Sequence, residues 1–279
     1  MASVASAIDD TVTLSNGLEM PWLGLGTWRA SDTEAERAVT AGLEVGYRHI
    51  DTAAMYGNEA GVGRAIRKGP VPRDQVFVTT KIWNDDIRAG ASATLQALDR
   101  CLERLGLDHV ELVLLHWPAD GHEAAWRGLE QAYHAGKTRA IGVSNYLPEH
   151  LRSLLAGCEV APVVNQIELH PYLVQPELVQ LCRDHDIQPE AWSPLMQGRV
   201  GNEPAITRIA GALGRTPAQV VLRWHLQHRV VAIPKSVRRP RLEENARIFD
   251  FELSDEQMRT LDHLDQNHRF GPDPHNFAF

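Results

Sequence analysis

A chain of 279 residues, 43% hydrophobic and 23% charged, has the composition of a globular protein with one large core, and α/β barrels reach this length as one domain. Its formal net charge of −8 argues against a protein that coats nucleic acid or an anionic membrane, and no apolar run is long enough for a membrane span. The opening MASVASAIDD lacks the basic and apolar regions of a secretion signal, and the widely spaced Cys101, Cys158 and Cys182 form neither a disulfide framework nor a zinc pattern, so a cytoplasmic protein is expected.

The first predicted element is a short hairpin, TVTL and LEMP around Asn16-Gly17. Strand and helix signals alternate after it. Strands are expected in LGLGTW, RHIDTA, VFVTTKI, VELVLLHW, TRAIGVSN, PVVNQIEL, QPEAWSPL and VVAIPK. Several are continuous apolar runs, the pattern of parallel strands covered by helices. Amphipathic stretches such as TEAERAVTAGLEVG and ASATLQALDRCLERLG lie between them. Thr216 with Gln219, and Pro217 at the first helical position, open one helix as a capping box; Ser254 with Gln257 open another after the eighth unit. Eight βα units without a linker predict an α/β fold, a single (β/α)8 barrel domain over residues 1–279 with an N-terminal hairpin and extra helices. A doubly wound open sheet is the structural alternative.

In such a barrel the active site lies at the C-terminal ends of the strands. The second strand ends at Asp51, the third at Lys81, the fourth at His116-Trp117 and the fifth at Ser144-Asn145. Gln166 lies late in the sixth; the seventh ends at Trp192-Ser193 and the eighth at Lys235-Ser236. Strands two to four are neighbours, so Asp51, Lys81 and His116 converge, with Tyr56 in the turn above. A lysine ammonium beside a phenol favours the phenolate and is expected to lower the tyrosine pKa. A carboxylate keeps the lysine charged, and an imidazole can orient a reacting oxygen. That set suits protonation of a carbonyl while a nicotinamide hydride attacks its carbon.

Neither GLGTWR nor GVGRAI completes a Rossmann fingerprint. The basic IPKSVRRPRLEEN after the eighth strand instead lies where this barrel commonly holds phosphate. Lys235 and Arg241 there suggest the 2′-phosphate of NADPH, whereas a solvated basic loop serves Arg238 and Arg239 as well. Trp192 offers a flat face to a nicotinamide ring, or is an ordinary core tryptophan. His225 and His228 have no visible third ligand, and no metal site is expected.

The ordered motifs GYRHIDTAAMYGNE, VTTKIWN, LLHWP, IGVSNY, VNQIELHPYL, AWSPLMQG and IPKSVRRPRLEEN resemble the aldo-keto reductases over nearly the whole chain, and among them the bacterial 2,5-diketo-D-gluconic acid reductase subgroup. The resemblance implies a tetrad of Asp51, Tyr56, Lys81 and His116, with Tyr56 as general acid. It implies that Ser144, Asn145 and Gln166 hold the nicotinamide carboxamide while Trp192 stacks on the ring. Lys235, Ser236 and Arg241 would hold the 2′-phosphate, with Glu244 and Asn245 near the adenine. Thr27, Trp28, Trp83 and Trp117 would line the substrate pocket. The implied function is NADPH-dependent reduction of an aldehyde or ketone by a monomer. A keto-sugar acid such as 2,5-diketo-D-gluconate is the first candidate substrate, with methylglyoxal-like dicarbonyls and general aldehydes as alternatives. A non-catalytic NADPH-binding module is the rival from another class. The short WPADGHEAAW segment departs from many family members, and the tail HRFGPDPHNFAF has no assigned place.

Overall fold

The computed structural model describes residues 5–276. Strands β1 (Thr11–Thr13) and β2 (Glu19–Pro21) form the expected antiparallel hairpin, with Val12 opposite Met20. Gly17 turns the chain there with φ of +83°, a conformation that glycine adopts without a side-chain clash.

The eight expected parallel strands follow: β3 (Gly24–Gly26), β4 (His49–Asp51), β5 (Phe77–Ile82), β6 (Val110–Leu115), β7 (Thr138–Ser144), β8 (Val164–Glu168), β9 (Gln188–Trp192) and β10 (Val231–Ala232). Each pairs with its neighbours in sequence. Isolated bridges from Leu23 to Ala232 and from Gly26 to Lys235 join the first strand to the last and close the barrel. Closure brings Gly24 so near β4 that a Cβ would lie 2.7 Å from His49 Nδ1. Asn16 in the hairpin donates to the Arg139 carbonyl at the start of β7, which places the hairpin at the end opposite the strand C-termini.

The outer layer comprises α1 (Asp32–Val45), α2 (Glu59–Lys68), α3 (Asn84–Arg88), α4 (Ala91–Leu105), α5 (His122–His134), α6 (Pro148–Leu155), α7 (Pro176–Asp184), α8 (Pro204–Leu213), α9 (Pro217–Gln227), α10 (Arg239–Asn245) and α11 (Asp255–Asp262). Spacing of three and four residues makes most of the long helices one-faced, whereas α9 is buried at every position from Gln219 to Leu226. In α4 the buried positions are Thr94, Ala97, Leu98, Cys101, Leu102 and Leu105. Both expected capping boxes form, at Thr216 for α9 and Ser254 for α11, and Ser31 with Glu34 makes a third at α1. No helix among the described residues is long and apolar enough to cross a membrane.

Strand alternation turns every second side chain into the barrel. Here that selects a polar file. His49 and Asp51 come from β4, Thr79 and Lys81 from β5, Gln166 from β8 and Glu190 from β9, and all six are buried and joined side by side. Burying so many polar groups is tolerable only when they bond to one another. The file ends at the mouth of the barrel.

Candidate active site

Lys81 is fully enclosed, and its ammonium has three oxygens around it: Asp51 Oδ1 at 2.6 Å, Asp51 Oδ2 at 2.7 Å and the Thr52 carbonyl at 2.9 Å. Burial is the largest single influence and pulls the lysine pKa down, but the Asp51 charge and hydrogen bond, with Tyr56 and Glu190, together outweigh it and the net direction is upward. The lysine is therefore a fixed cation. Its Nζ lies 5.2 Å from the centroid of the Tyr56 ring above it.

The turn that carries Tyr56 is rigid for a reason the sequence did not advertise. The single 3-10 turn Ala54–Tyr56 is followed by Gly57 in a left-handed conformation and then by buried Asn58. Asn58 donates to the Thr27 and Ala30 carbonyls at 2.9 and 3.0 Å and accepts from the Thr52 hydroxyl at 2.8 Å. One amide thus pins the β3 and β4 loops together. Thr27 differs from expectation: its buried hydroxyl donates to the Asp51 carbonyl at 2.9 Å, and the residue is not part of the cleft wall. Its backbone amide donates to the same carbonyl at 3.0 Å, so Thr27 is committed to the loop instead of the cavity.

His116 faces Tyr56 with ring centroids 5.8 Å apart at 73°, and Trp83 packs edge-on against the imidazole at 5.2 Å. Burial and then the Lys81 charge hold its pKa well below the usual histidine value, so the ring is neutral. Tyr56 corrects the sequence expectation. Lys81 does act to lower its pKa, but burial acts more strongly and the net direction is upward. The phenol therefore keeps its proton at neutral pH.

The next strand ends are tied into a chain. Asn145, at a φ of +64°, donates to the His116 carbonyl at 3.0 Å and to Ser144 Oγ at 3.1 Å, and its Oδ1 accepts from Trp192 Nε1 at 2.8 Å. Ser144 in turn donates to the Gln166 carbonyl at 2.9 Å. All these residues border one cleft of about 910 Å³. Trp28, Met55, Trp83 and Trp117 give one part of it an apolar, aromatic wall around Tyr56 and His116. Ser236, Glu244 and Asn245 border another part together with Lys235 and Arg241.

The basic cluster divides. Arg239 pairs with Glu44 and Glu243, outside the cleft wall. Lys235 and Arg241 are exposed at the cleft and form no ion pair or side-chain hydrogen bond with the described residues. Two unpaired cations in a chain of net charge −8 mark a place for an anion.

The tail crosses the same mouth. Glu168, buried at the end of β8, accepts from the Phe270 amide at 2.7 Å and the Gly271 amide at 3.1 Å, which sets Phe270, Gly271 and Pro272 into the cleft wall. Residues 277–279 lie outside the described part. Of the remaining histidines, His225 bonds the Val221 and Leu169 carbonyls and His228 pairs with Asp262; no metal-binding group of three occurs among the described residues.

The cleft thus runs from a phenol above a buried cation, past a tryptophan, to two exposed cations. Known proteins resemble the chain over nearly its whole length. The chain is 49% identical over 276 residues to the glyoxal reductase of Bacillus subtilis (strain 168), covering 98% of this chain and 99% of that one. It is 46% identical over 272 residues to methylglyoxal reductase DkgA of Yersinia pestis, covering 96% and 97%. A solved structure of a Gox0644 mutant in complex with NADPH matches with a TM-score of 0.91 at 38% identity, over 96% of this chain and 98% of that one. The profile of the aldo/keto reductase family matches residues 22–266, and the chain belongs to that family.

Proposed function

We propose that the protein reduces small reactive aldehydes and α-dicarbonyls, of the glyoxal and methylglyoxal kind, to alcohols with NADPH. The observation that carries the reading is the enclosed Lys81–Asp51 pair beneath Tyr56, in a cleft that also displays the unpaired Lys235 and Arg241. The names of the two reductases nearly half identical to this chain support the substrate class.

The cleft residues fit the cofactor. Lys235 and Arg241 would hold its 2′-phosphate with Ser236, Glu244 and Asn245 would border the adenine, and Trp192 and Gln166 would meet the nicotinamide. Bound NADPH supplies the hydride for the carbonyl carbon. Tyr56 delivers its proton to the carbonyl oxygen, and Lys81 favours the phenolate left behind. Asp51 keeps the ammonium charged and in place. Neutral His116 offers the oxygen a hydrogen bond and cannot compete as the acid. Trp28, Trp83 and Trp117 exclude water from the reacting group and favour flat or small substrates.

The test follows NADPH absorbance with glyoxal, methylglyoxal, 2,5-diketo-D-gluconate and 4-nitrobenzaldehyde. The dicarbonyls should give the highest kcat/KM. A clear preference for 2,5-diketo-D-gluconate would move the substrate to keto-sugar acids, and no consumption at all would remove the enzyme reading.

Arg241→Ala should raise the NADPH dissociation constant about tenfold or more while changing NADH by less than about twofold, because a guanidinium–phosphate pair is lost only in the first case. Fluorescence titration with both cofactors measures it, and equal losses would contradict a 2′-phosphate contact. Gly271→Val acts from the tail. A Cβ there would lie 2.3 Å from the Trp192 ring, which Asn145 holds from its other side. We expect Trp192 to be displaced and NADPH binding to weaken by about fivefold, on the scale of one lost hydrogen bond; unchanged titration and emission spectra would show that the tail yields instead.

A further inference from the structure

Gln166 has an unusual pair of partners. Its single amide nitrogen donates to Asp51 Oδ2 at 2.9 Å and to Glu190 Oε2 at 2.8 Å. Both amide hydrogens are thereby used. The reverse orientation would press a carbonyl oxygen against the Asp51 carboxylate, which holds the amide in its present setting. Its side-chain amide oxygen accepts no hydrogen bond from the described residues, and the side chain borders the cleft.

Glu190 has no role in the chemistry described above, yet it is wholly buried at the centre of the barrel. The groups around it are Asp51 and His49 from β4, Lys81 from β5, Gln166 from β8 and Tyr56 in the turn above, with Thr79 bonded to His49. Its Oε1 has no hydrogen-bond partner among the described residues; His49 Nε2 is 3.7 Å away, beyond hydrogen-bond reach, and already bonds Thr79. Lys81 gives its short contacts to Asp51. Two buried carboxyls therefore share one lysine, and the one without it is the one that can hold a proton.

We propose that Glu190 is a positioning residue that, as a neutral acid, fixes the Gln166 amide together with Asp51 so that its carbonyl oxygen faces the cofactor carboxamide. The proposal rests on the reading of the cleft as an NADPH site. Electrostatics agrees with the geometry: burial first, and the Asp51 charge second, push the Glu190 carboxyl up to about 8. His49 beside it is pushed down to about 3, chiefly by burial, and stays neutral.

Glu190→Leu and Glu190→Gln separate the roles. Leucine removes the acceptor and frees Gln166 to turn, so NADPH affinity should fall about tenfold. Glutamine reproduces the neutral acid, with its carbonyl toward Gln166, and should restore affinity to within about threefold of wild type. Leucine binding as tightly as wild type, or glutamine losing as much as leucine, would overturn the proposal. Thermal unfolding of the cofactor-free proteins gives a second readout that survives a poorly folded leucine variant. An acid whose folded pKa is raised contributes stability in full below its unfolded pKa of about 4.3 and loses it as pH rises to about 8. The Tm of wild type should therefore fall by about 5 °C or more relative to Glu190→Gln between pH 5 and pH 8. A constant difference across that range would rule out the neutral acid. Wild type that fails to bind NADPH would instead sink the functional reading, leaving the unfolding comparison intact.

Discussion

Tyr56→Phe should lower kcat by about 10²- to 10⁴-fold and leave the NADPH dissociation constant within about twofold of wild type. The substitution removes one oxygen and keeps the ring that faces His116 and covers Lys81. No other group can replace the donor. His116 is neutral, and Lys81 is sealed beneath the ring with its ammonium given to Asp51 and Thr52. Single-turnover absorbance decay and a fluorescence titration on the same preparation measure the two quantities. Equal loss of turnover and affinity would mean that Tyr56 shapes the cofactor site and is not the proton donor.

Lys81→Met should cost about 3–5 kcal/mol of stability as well as turnover, because it strands a buried carboxylate. Asp51 would keep only the Gln166 amide as a side-chain donor. Adding Asp51→Asn removes the stranded charge, so the double variant should recover much of the lost stability and none of the activity. Denaturant titrations of the single and double variants show the first part, and NADPH turnover shows the second. The lysine pKa is raised on folding, so its contribution is in place below about pH 10.4 and is lost only as pH rises beyond that. A stability change between pH 5 and 8 therefore belongs to a different group, which keeps this experiment separate from the one on Glu190. A single variant as stable as wild type would show that the buried pair is dispensable to the fold.

The sequence made the barrel legible because each strand is an apolar run ending in a polar residue, and because helices announce themselves through spacing and caps. It placed Lys81 correctly at the end of FVTTK, since β5 has no exposed residue and its last inward position is the lysine. It could not weigh depth. The pKa direction of Tyr56 turned on how much burial opposes one nearby cation, and no spacing records that. Thr27 lies next to a cleft residue in sequence but spends its hydroxyl on a backbone carbonyl. Asn58 and Glu190 were passed over although each left a trace: a polar amide directly before a helix, and an acid inside QPEAW, where its neighbours are buried. The tail had no periodic pattern, and its course depends on the carboxylate of Glu168, 102 positions earlier in the chain.

The closure of the barrel has a mechanical side. β5, β6 and β7 are laced together over long registers, from Thr79–Leu112 to Ile82–Leu115 and from Val110–Thr138 to Leu115–Val143. β10 pairs with β9 only through Val231 and Ala232, and it meets the first strand through isolated bridges. The cylinder is thus a well-stitched wall with a lightly stitched seam. Lys81 and His116 stand at the ends of strands in the wall. Lys235 stands at the seam itself, where its bridge to Gly26 is one of the stitches. A large charged ligand that must enter and leave on every cycle would then do so where the sheet can give, without disturbing the half of the barrel that sets the geometry of proton transfer.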